Sequence, residues 1–285
     1  MLLFLAVVWG LSFFFIKKIV LVLSPIQVGA GRVFIAGVFL LPWAFNGLKE
    51  IPTKKYKYLL LSGLLGNLIP AFIFSLVGSK LNSSLSGTLN ATTPIFVLII
   101  GAVFFANTIL RNQMIGIVIG FIGSLVLIIG SGDVSALNFG NPYAFLTLLA
   151  TLMYGFNVNI INKYLKEINA LKMTAVAFLF VGLIAFAVLL TTDFFTIITL
   201  PQNRVTLFYL LILGGVNTSL ALVIFNYLLQ ITSPVFASTV TYLIPVVAIL
   251  AGIFDHEIIG LSHLLGMAVI LLGVYLINKK VPLKK

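Results

Sequence analysis

Polar side chains recur at helical spacing inside long apolar stretches, a pattern typical of a binding cavity within a membrane. Trp9 and Ser12 are three residues apart, and Tyr154 and Asn157 repeat that spacing 145 residues later. Because an unpaired amide in hydrocarbon costs several kcal/mol, such groups should bond a neighbouring helix or face a water-filled cavity. The cavity candidates are Trp9, Ser12, Asn67, Ser75, Asn90, Tyr154, Asn157, Ser219, Asn226, Thr241 and Tyr242. For each residue alone, a hydrogen bond between helices explains the pattern equally well.

Four further residues are candidates for a gating or a structural role. Arg32 is the only charged residue well inside an apolar span, where a charge costs about 2.5 kcal/mol or more. Its long side chain could act in the cavity or reach the membrane interface. Pro94 and Pro245 should interrupt the backbone bonds of two matched helices, as fixed kinks or as hinges. Glu257 could titrate at the outer mouth or stabilise the start of the last helix.

The residues that other chemistries require are missing. The chain has no cysteine, and its two histidines lie near one predicted membrane edge. All six acidic residues fall in loops or at helix ends, so no carboxylate at mid-membrane depth offers a proton relay. No glycine-rich phosphate-binding motif occurs. We therefore expect no enzyme activity, no metal and no cofactor. If the chain carries a solute across a membrane, that solute should run down its own gradient or exchange for another solute.

Composition indicates the environment in which these residues work. Of the 285 residues, 61% are hydrophobic and 8% are charged, whereas soluble domains are about 45–50% apolar and about 25% charged. This balance excludes a soluble enzyme. The net charge of +11 does not indicate a nucleic-acid partner, because the basic residues lie in short loops and at the C-terminus, as topology signals do. The expected surroundings are the lipid bilayer.

Ten apolar stretches are long enough to cross a bilayer as helices, at about 20 residues each. The predicted spans are residues 2–23, 26–45, 57–78, 83–106, 111–130, 141–163, 171–191, 205–229, 234–254 and 260–279. Membrane strands alternate over about 10 residues, whereas these stretches are continuously apolar. The predicted fold class is an all-α integral membrane protein.

The distribution of lysine and arginine predicts the orientation in the membrane. With a cytoplasmic N-terminus, twelve basic residues fall in inside segments and four outside; with Arg32 they make up the 17 of the chain. The positive-inside rule then places both termini, including the basic tail 280–285, in the cytoplasm. We expect a multi-pass protein of the cell (inner) membrane. The sequence does not indicate whether it forms a homodimer.

The chain also repeats itself. Trp9-Gly10 matches Tyr154-Gly155 at an offset of 145 residues, and Pro94 matches Pro245 at an offset of 151. The predicted repeats are residues 2–130 and 141–279, with five helices each. Because five is odd, the second repeat enters the membrane inverted relative to the first. Inverted repeats around a central cavity are typical of secondary transporters.

These residues resemble a known family. Trp9 to Lys17, Ser24-Pro25 and Arg32 to Ala36 resemble the opening of an EamA-type repeat, and the end of a repeat is matched by Pro245, Gly252, Glu257, Gly266 and Gly273. The whole chain is similar to EamA-type transporters of the drug/metabolite transporter superfamily. The resemblance implies ten helices, a central cavity and alternating access. Asn107 stands where the repeat usually has Glu, and Tyr154 where it usually has Trp.

The first hypothesis is a secondary transporter, facilitator or exporter of a small organic metabolite, which is its expected small-molecule partner. Aromatic rings beside Asn and Ser groups favour a neutral or zwitterionic, amino-acid-like solute. One alternative is a membrane scaffold without transport activity. Another is an exchanger of phosphorylated or sugar-like metabolites, although phosphate would require several buried Lys or Arg residues.

Cysteine labelling tests the predicted orientation, since the chain has no native cysteine. Lys54→Cys should be protected from a membrane-impermeant thiol reagent in intact cells, whereas Ser135→Cys should react. Both should react after the membrane is permeabilised. Labelling of Lys54→Cys but not Ser135→Cys in intact cells would show that the orientation is reversed.

Overall fold

A computed structural model describes residues 1–81, 86, 89–130, 142–252 and 261–278, and every regular element in these ranges is a helix. In chain order the main helices are α1 (Leu2–Ile19), α2 (Pro25–Glu50), α3 (Thr53–Gly78), α4 (Thr93–Phe105), α5 (Arg111–Gly130), α6 (Pro142–Leu165), α7 (Ala170–Leu190), α8 (Pro201–Ile231), α9 (Val240–Gly252) and α10 (Leu261–Asn278). By length and composition, α1, α2, α3, α6, α7 and α8 can each cross a membrane. The others are shorter apolar helices in their described parts.

Capping residues determine where several helices begin. Ser24 and Gln27 form a reciprocal capping box at α2, in which the Ser24 amide donates to Gln27 Oε1 at 2.8 Å. Asn169 Oδ1 accepts from two backbone amides at the start of α7. The predicted ninth span begins as a short helix, Pro234–Ser238, which the turn residue Thr239 separates from α9. The caps at Ser24 and Asn169 satisfy backbone amide donors that would otherwise be unpaired.

Within the described ranges, three helices contain a π turn, which places one extra residue in a helical turn. The π turns are Leu64–Leu68 in α3, Ile161–Leu165 in α6 and Gly215–Leu220 in α8. Those in α3 and α8 occupy positions that the sequence repeat matches at its offset of 151. Since π turns often occur at functional sites, these two π turns mark a candidate region for a functional site.

Glycines let the helices approach closely. α2 packs along α7, and α5 packs along α10. Where α2 crosses α7, a Cβ at Gly37 would lie 3.1 Å from the carbonyl oxygen of Phe178. In the other pair, a Cβ at Gly273 would lie 2.6 Å from the backbone nitrogen of Gly120. Small residues at such crossings are what allow membrane helices to make extensive contacts.

Hydrogen bonds between helix termini identify the two ends of the bundle. Lys172 of α7 forms an ion pair with Glu50 at the end of α2. Nearby, Lys55 Nζ donates to the carbonyl oxygen of Tyr164 at 2.5 Å. We call this side the basic end. On the opposite side, the distal end, Gln27 Nε2 donates to Asp193 Oδ1 at 2.6 Å, ahead of α8.

Two glycine substitutions test the helix packing. Gly273→Ala should lower the melting temperature by several degrees, because its Cβ would meet backbone atoms of α5 that cannot move aside; overpacking of this kind costs about 1–3 kcal/mol. Gly182→Ala is the matched control, since its nearest atom, the Cα of Gly37, is 3.6 Å away. Thermal unfolding of purified protein measures both. Equal effects of the two substitutions would contradict this packing.

Candidate functional site

A cavity of about 120 Å³ lies within the bundle, lined from α1, α2 and α3 of the first half and from α6, α8 and α9 of the second. Asn90, three residues before α4, and Thr93, the first residue of α4, also line it. The space suits several water molecules or one small solute. Its walls are largely apolar with a few polar groups, as is typical of small-molecule sites.

Seven of the eleven cavity candidates line this space. They are Trp9, Ser12, Asn67, Asn90, Tyr154, Asn157 and Thr241, and Arg32 joins them. The matched pairs on α1 and α6 therefore face the same cavity from the two halves. Their role in substrate binding stays a prediction.

Asn217, in the π turn of α8, connects α8 to α1. Its backbone carbonyl oxygen accepts from Trp9 Nε1 at 3.1 Å, and its Nδ2 donates to Ser12 Oγ at 3.0 Å and to the carbonyl oxygen of Val8. The Trp9 ring also packs against Phe225, with ring centroids 5.4 Å apart. These contacts fix the orientation of the Trp9 ring at the cavity wall.

The contact between α3 and α6 matches the contact between α8 and α1, but its asparagine comes from α6 and not from the π turn. Asn157 Oδ1 of α6 accepts from Ser62 Oγ of α3 at 2.7 Å. Its amide lies over Gly66, where an added Cβ would be 2.2 Å from Asn157 Nδ2. Gly66 is the repeat mate of Asn217. The contact between α8 and α1 thus uses an Asn from the π turn, whereas the contact between α3 and α6 uses a Gly there and an Asn from the facing helix.

Aromatic rings form much of the remaining wall. Phe74 and Tyr154 stack with centroids 6.0 Å apart and planes inclined by 12°, and Phe13 meets Phe74 edge-on at 6.3 Å. Such faces can pack an apolar solute or lie against a cation.

Arg32 brings a positive charge to the cavity. Its Nε and Nη2 donate to Thr218 Oγ1 at 3.1 and 3.0 Å, and Thr218 donates to the carbonyl oxygen of Leu213 at 2.7 Å. In the described ranges the only ion pair is Lys172 with Glu50. Arg32 therefore lies at the cavity beside a neutral acceptor, with no carboxylate partner in this part of the chain.

Four candidates need correction, because they do not line the cavity: Ser75, Ser219, Asn226 and Tyr242. The two serine hydroxyls donate to carbonyl oxygens four residues earlier in their own helices, a common arrangement that keeps a hydroxyl satisfied. The other two side chains join helices. Asn226 Nδ2 donates to Thr174 Oγ1 at 2.8 Å, and the Tyr242 hydroxyl donates to the carbonyl oxygen of Ile117 at 3.0 Å.

Pro94 and Pro245 were expected to interrupt the backbone bonds of two helices, and the structure corrects this expectation for Pro94. Pro94 lies in the first turn of α4, where its missing N–H would have had no helical partner. It therefore does not interrupt that helix. Pro245 lies inside α9, as expected. Glu257 and the tail 280–285 lie outside the described residues.

Asn217 and Thr218 are cavity residues that the sequence interpretation missed, although it selected the adjacent Ser219. The π turn explains the difference, because its extra residue shifts the faces of the helix. Asn217 and Thr218 line the cavity, whereas Ser219 bonds its own backbone. The run of three polar residues at 217–219 within an apolar span was the available signal.

A stack of side chains lies at the basic end of the bundle. The rings of Tyr58 (α3) and Tyr164 (α6) stack with centroids 4.1 Å apart and planes inclined by 7°. Lys57 lies over the Tyr58 ring and Lys163 over the Tyr164 ring, at 5.0 and 5.7 Å from the centroids. Along α3, Tyr58 is about 12 Å from Gly66 at the cavity, at 1.5 Å per residue. We call these four residues the tyrosine stack.

The chain matches known sequences and a known fold. An uncharacterized transporter of Archaeoglobus fulgidus is 27% identical over 95% of each chain. The uncharacterized inner membrane transporter YedA of Escherichia coli is 26% identical over 96% of this chain and 88% of its own. A solved crystal structure has the same fold, with a TM-score of 0.74 at 12% identity over 97% of this chain and 95% of that one.

The sequence model of the EamA-like transporter family matches twice, over residues 1–129 and 141–279. The two matches cover nearly the whole chain and agree with the resemblance of its repeat motifs to EamA-type sequences. The apolar helices are those of a multi-pass integral membrane protein. The chain belongs to the EamA-like transporter family, and it is a membrane transporter rather than an enzyme.

Proposed function

We propose that this transporter moves a small organic metabolite by alternating access, as a secondary transporter, facilitator or exporter. The observation that carries the proposal is the cavity, which amides and aromatic rings from both halves line together. A scaffold protein would not need such a space. The helices around it belong to different halves, so relative motion of the halves would change access to it.

We propose further that the chain crosses the membrane ten times, as two inverted five-helix repeats at 2–130 and 141–279. The double match of the family model supports this organisation. Matched contacts support it as well. A Cβ at Gly63 would lie 3.1 Å from the Ala177 carbonyl oxygen, and at its mate Gly214 it would lie 3.0 Å from the carbonyl oxygen of Arg32, the mate of Ala177.

In the proposed orientation the basic end and both termini are cytoplasmic. The concentration of lysine at that end supports it by the positive-inside rule. The printed name of the relative YedA, an inner membrane transporter, supports placement in the cell membrane.

The proposed substrate is a neutral or zwitterionic, amino-acid-like solute. Asn67 and Asn90 contribute amides that can both donate and accept hydrogen bonds. The Phe74 and Tyr154 rings can pack against the apolar part of a solute or against an ammonium group. A phosphorylated substrate has less support, because Arg32 is the only Lys or Arg among the described lining residues.

The tyrosine stack is proposed to close the basic end of the pathway. Tyr58 and Tyr164 come from helices of different halves, so rocking of the halves would separate the two rings. Solute could then reach the cytoplasm only when the stack opens, as alternating access requires.

Cross-linking tests this closure in the cysteine-free chain. The double variant Tyr58→Cys/Tyr164→Cys, oxidised or bridged by a short bis-maleimide, should lose flux of labelled amino acids in proteoliposomes. Reduction of the oxidised form should restore flux, and each single variant treated in the same way is the control. Unchanged flux in the fully cross-linked protein would show that these helices need not separate.

Two asparagine substitutions separate lining from packing. Asn90→Leu should lower amino-acid flux per molecule several-fold without changing the melting temperature, because Asn90 lines the cavity. Asn226→Leu should lower the melting temperature by a few degrees, since it removes an interhelical hydrogen bond worth about 0.6–2 kcal/mol. If Asn90→Leu melts lower and transports normally, Asn90 is structural.

A further inference from the structure

Arg32 has unused hydrogen-bonding capacity at the cavity. A guanidinium has five N–H donors, and the contacts of Arg32 within the described residues direct Nε and Nη2 to the single oxygen of Thr218. Nη1 has no acceptor there. Two of the described carboxylates bond other residues: Glu50 pairs with Lys172, and Asp193 accepts a hydrogen bond from Gln27.

This arrangement is costly unless something else completes it. A charge inside a membrane protein normally pairs with an opposite charge or with several backbone carbonyls. Among the described residues, Arg32 bonds one neutral hydroxyl, that of Thr218. An anion in the cavity would supply both the missing charge and acceptors for the remaining donors.

A carboxylate fits this position best. Its two oxygens match the planar guanidinium through parallel charge-assisted hydrogen bonds. A phosphate dianion would leave a negative charge unpaired, because the described lining offers one cation. The stacked rings of Phe74 and Tyr154 lie in the same cavity, where they can pack the rest of a small organic acid or amino acid.

We propose that Arg32 binds the carboxylate of the transported solute and that Thr218 is its positioning residue. This inference rests on the proposed transport function. Arg32 would then compensate the charge of the solute's carboxylate during its passage through the membrane interior. The Thr218 hydroxyl holds Nε and Nη2, so that the outer edge of the guanidinium is presented to the cavity.

A panel of matched solutes tests the class of substrate. The panel uses the side chains of alanine, valine, leucine, methionine and phenylalanine. Each side chain is offered in three forms: the amino acid, its primary amide, and the corresponding carboxylic acid that lacks the amino group. At least one carboxylate-bearing member should raise the melting temperature of the purified wild-type protein more than the amide with the same side chain. If no carboxylate does better than its amide, the inference is wrong.

Variants assign the effect to Arg32. Arg32→Gln should abolish the carboxylate-dependent shift, or weaken binding about tenfold or more, and should leave the melting temperature without ligand unchanged or higher. Arg204→Gln, the same substitution at an exposed position, should behave as wild type. A large loss of stability in Arg32→Gln, with the ligand shift retained, would assign Arg32 a structural role.

Substitutions at Thr218 test the positioning role. Thr218→Val keeps the shape but removes the acceptor, and it should weaken carboxylate binding several-fold without affecting the amides. Thr218→Ser should restore binding. Equal weakening by Thr218→Val and Thr218→Ser, or no effect of Thr218→Val, would contradict this role.

Flux in proteoliposomes separates this inference from the proposed function. If amides are transported and carboxylates are not, transport stands and the carboxylate assignment fails. If no panel member moves although the carboxylates bind through Arg32, the binding assignment stands and transport of this class fails. Carboxylate flux that Arg32→Gln abolishes and Arg204→Gln leaves intact is the result we expect.

Discussion

The interior of a bilayer offers no hydrogen-bond partners, so each polar group of this chain at membrane depth must be satisfied by protein or by an internal space. The structure meets this constraint in three ways. Ser75 and Ser219 bond their own helices. Asn226 bonds the next helix. The amides and hydroxyls around the cavity either bond each other, as Asn217 bonds Ser12, or face the internal space.

The two halves solve the same packing problem with exchanged residues. At the π turn of α8, Asn217 reaches Ser12 of α1. At the matching π turn of α3, Gly66 makes room for Asn157 of α6. Both contacts join a helix of one half to a helix of the other beside the cavity. They hold the walls in place without filling the space, and their asymmetry gives the cavity different chemistry on its two sides.

Charge is distributed according to the same constraint. The lysines of the basic end lie at or beyond the ends of the apolar segments, and Lys57 and Lys163 flank the stacked rings of Tyr58 and Tyr164 there. Arg32 is the exception, since it lies at the cavity with only Thr218 as a partner among the described residues. Within the described lining it is a single cation in a small space with aromatic walls, and this is the basis on which we propose that it binds the carboxylate of the solute.

The amino-acid sequence by itself determined the all-helical membrane class, because 20-residue apolar stretches can satisfy their backbone in hydrocarbon only as helices. Residue spacing also predicted that Trp9, Ser12, Tyr154 and Asn157 share one space, since the repeat places each pair on one helical face. Only the tertiary structure showed that Ser219 bonds its own helix and that Asn226 and Tyr242 bond neighbouring helices, away from the cavity. The face that a residue presents depends on its neighbours, and the π turn at Gly215–Leu220 moved that face by a residue. Periodicity assumes an unbroken helix, so it could not anticipate that Asn217 and Thr218 would line the cavity.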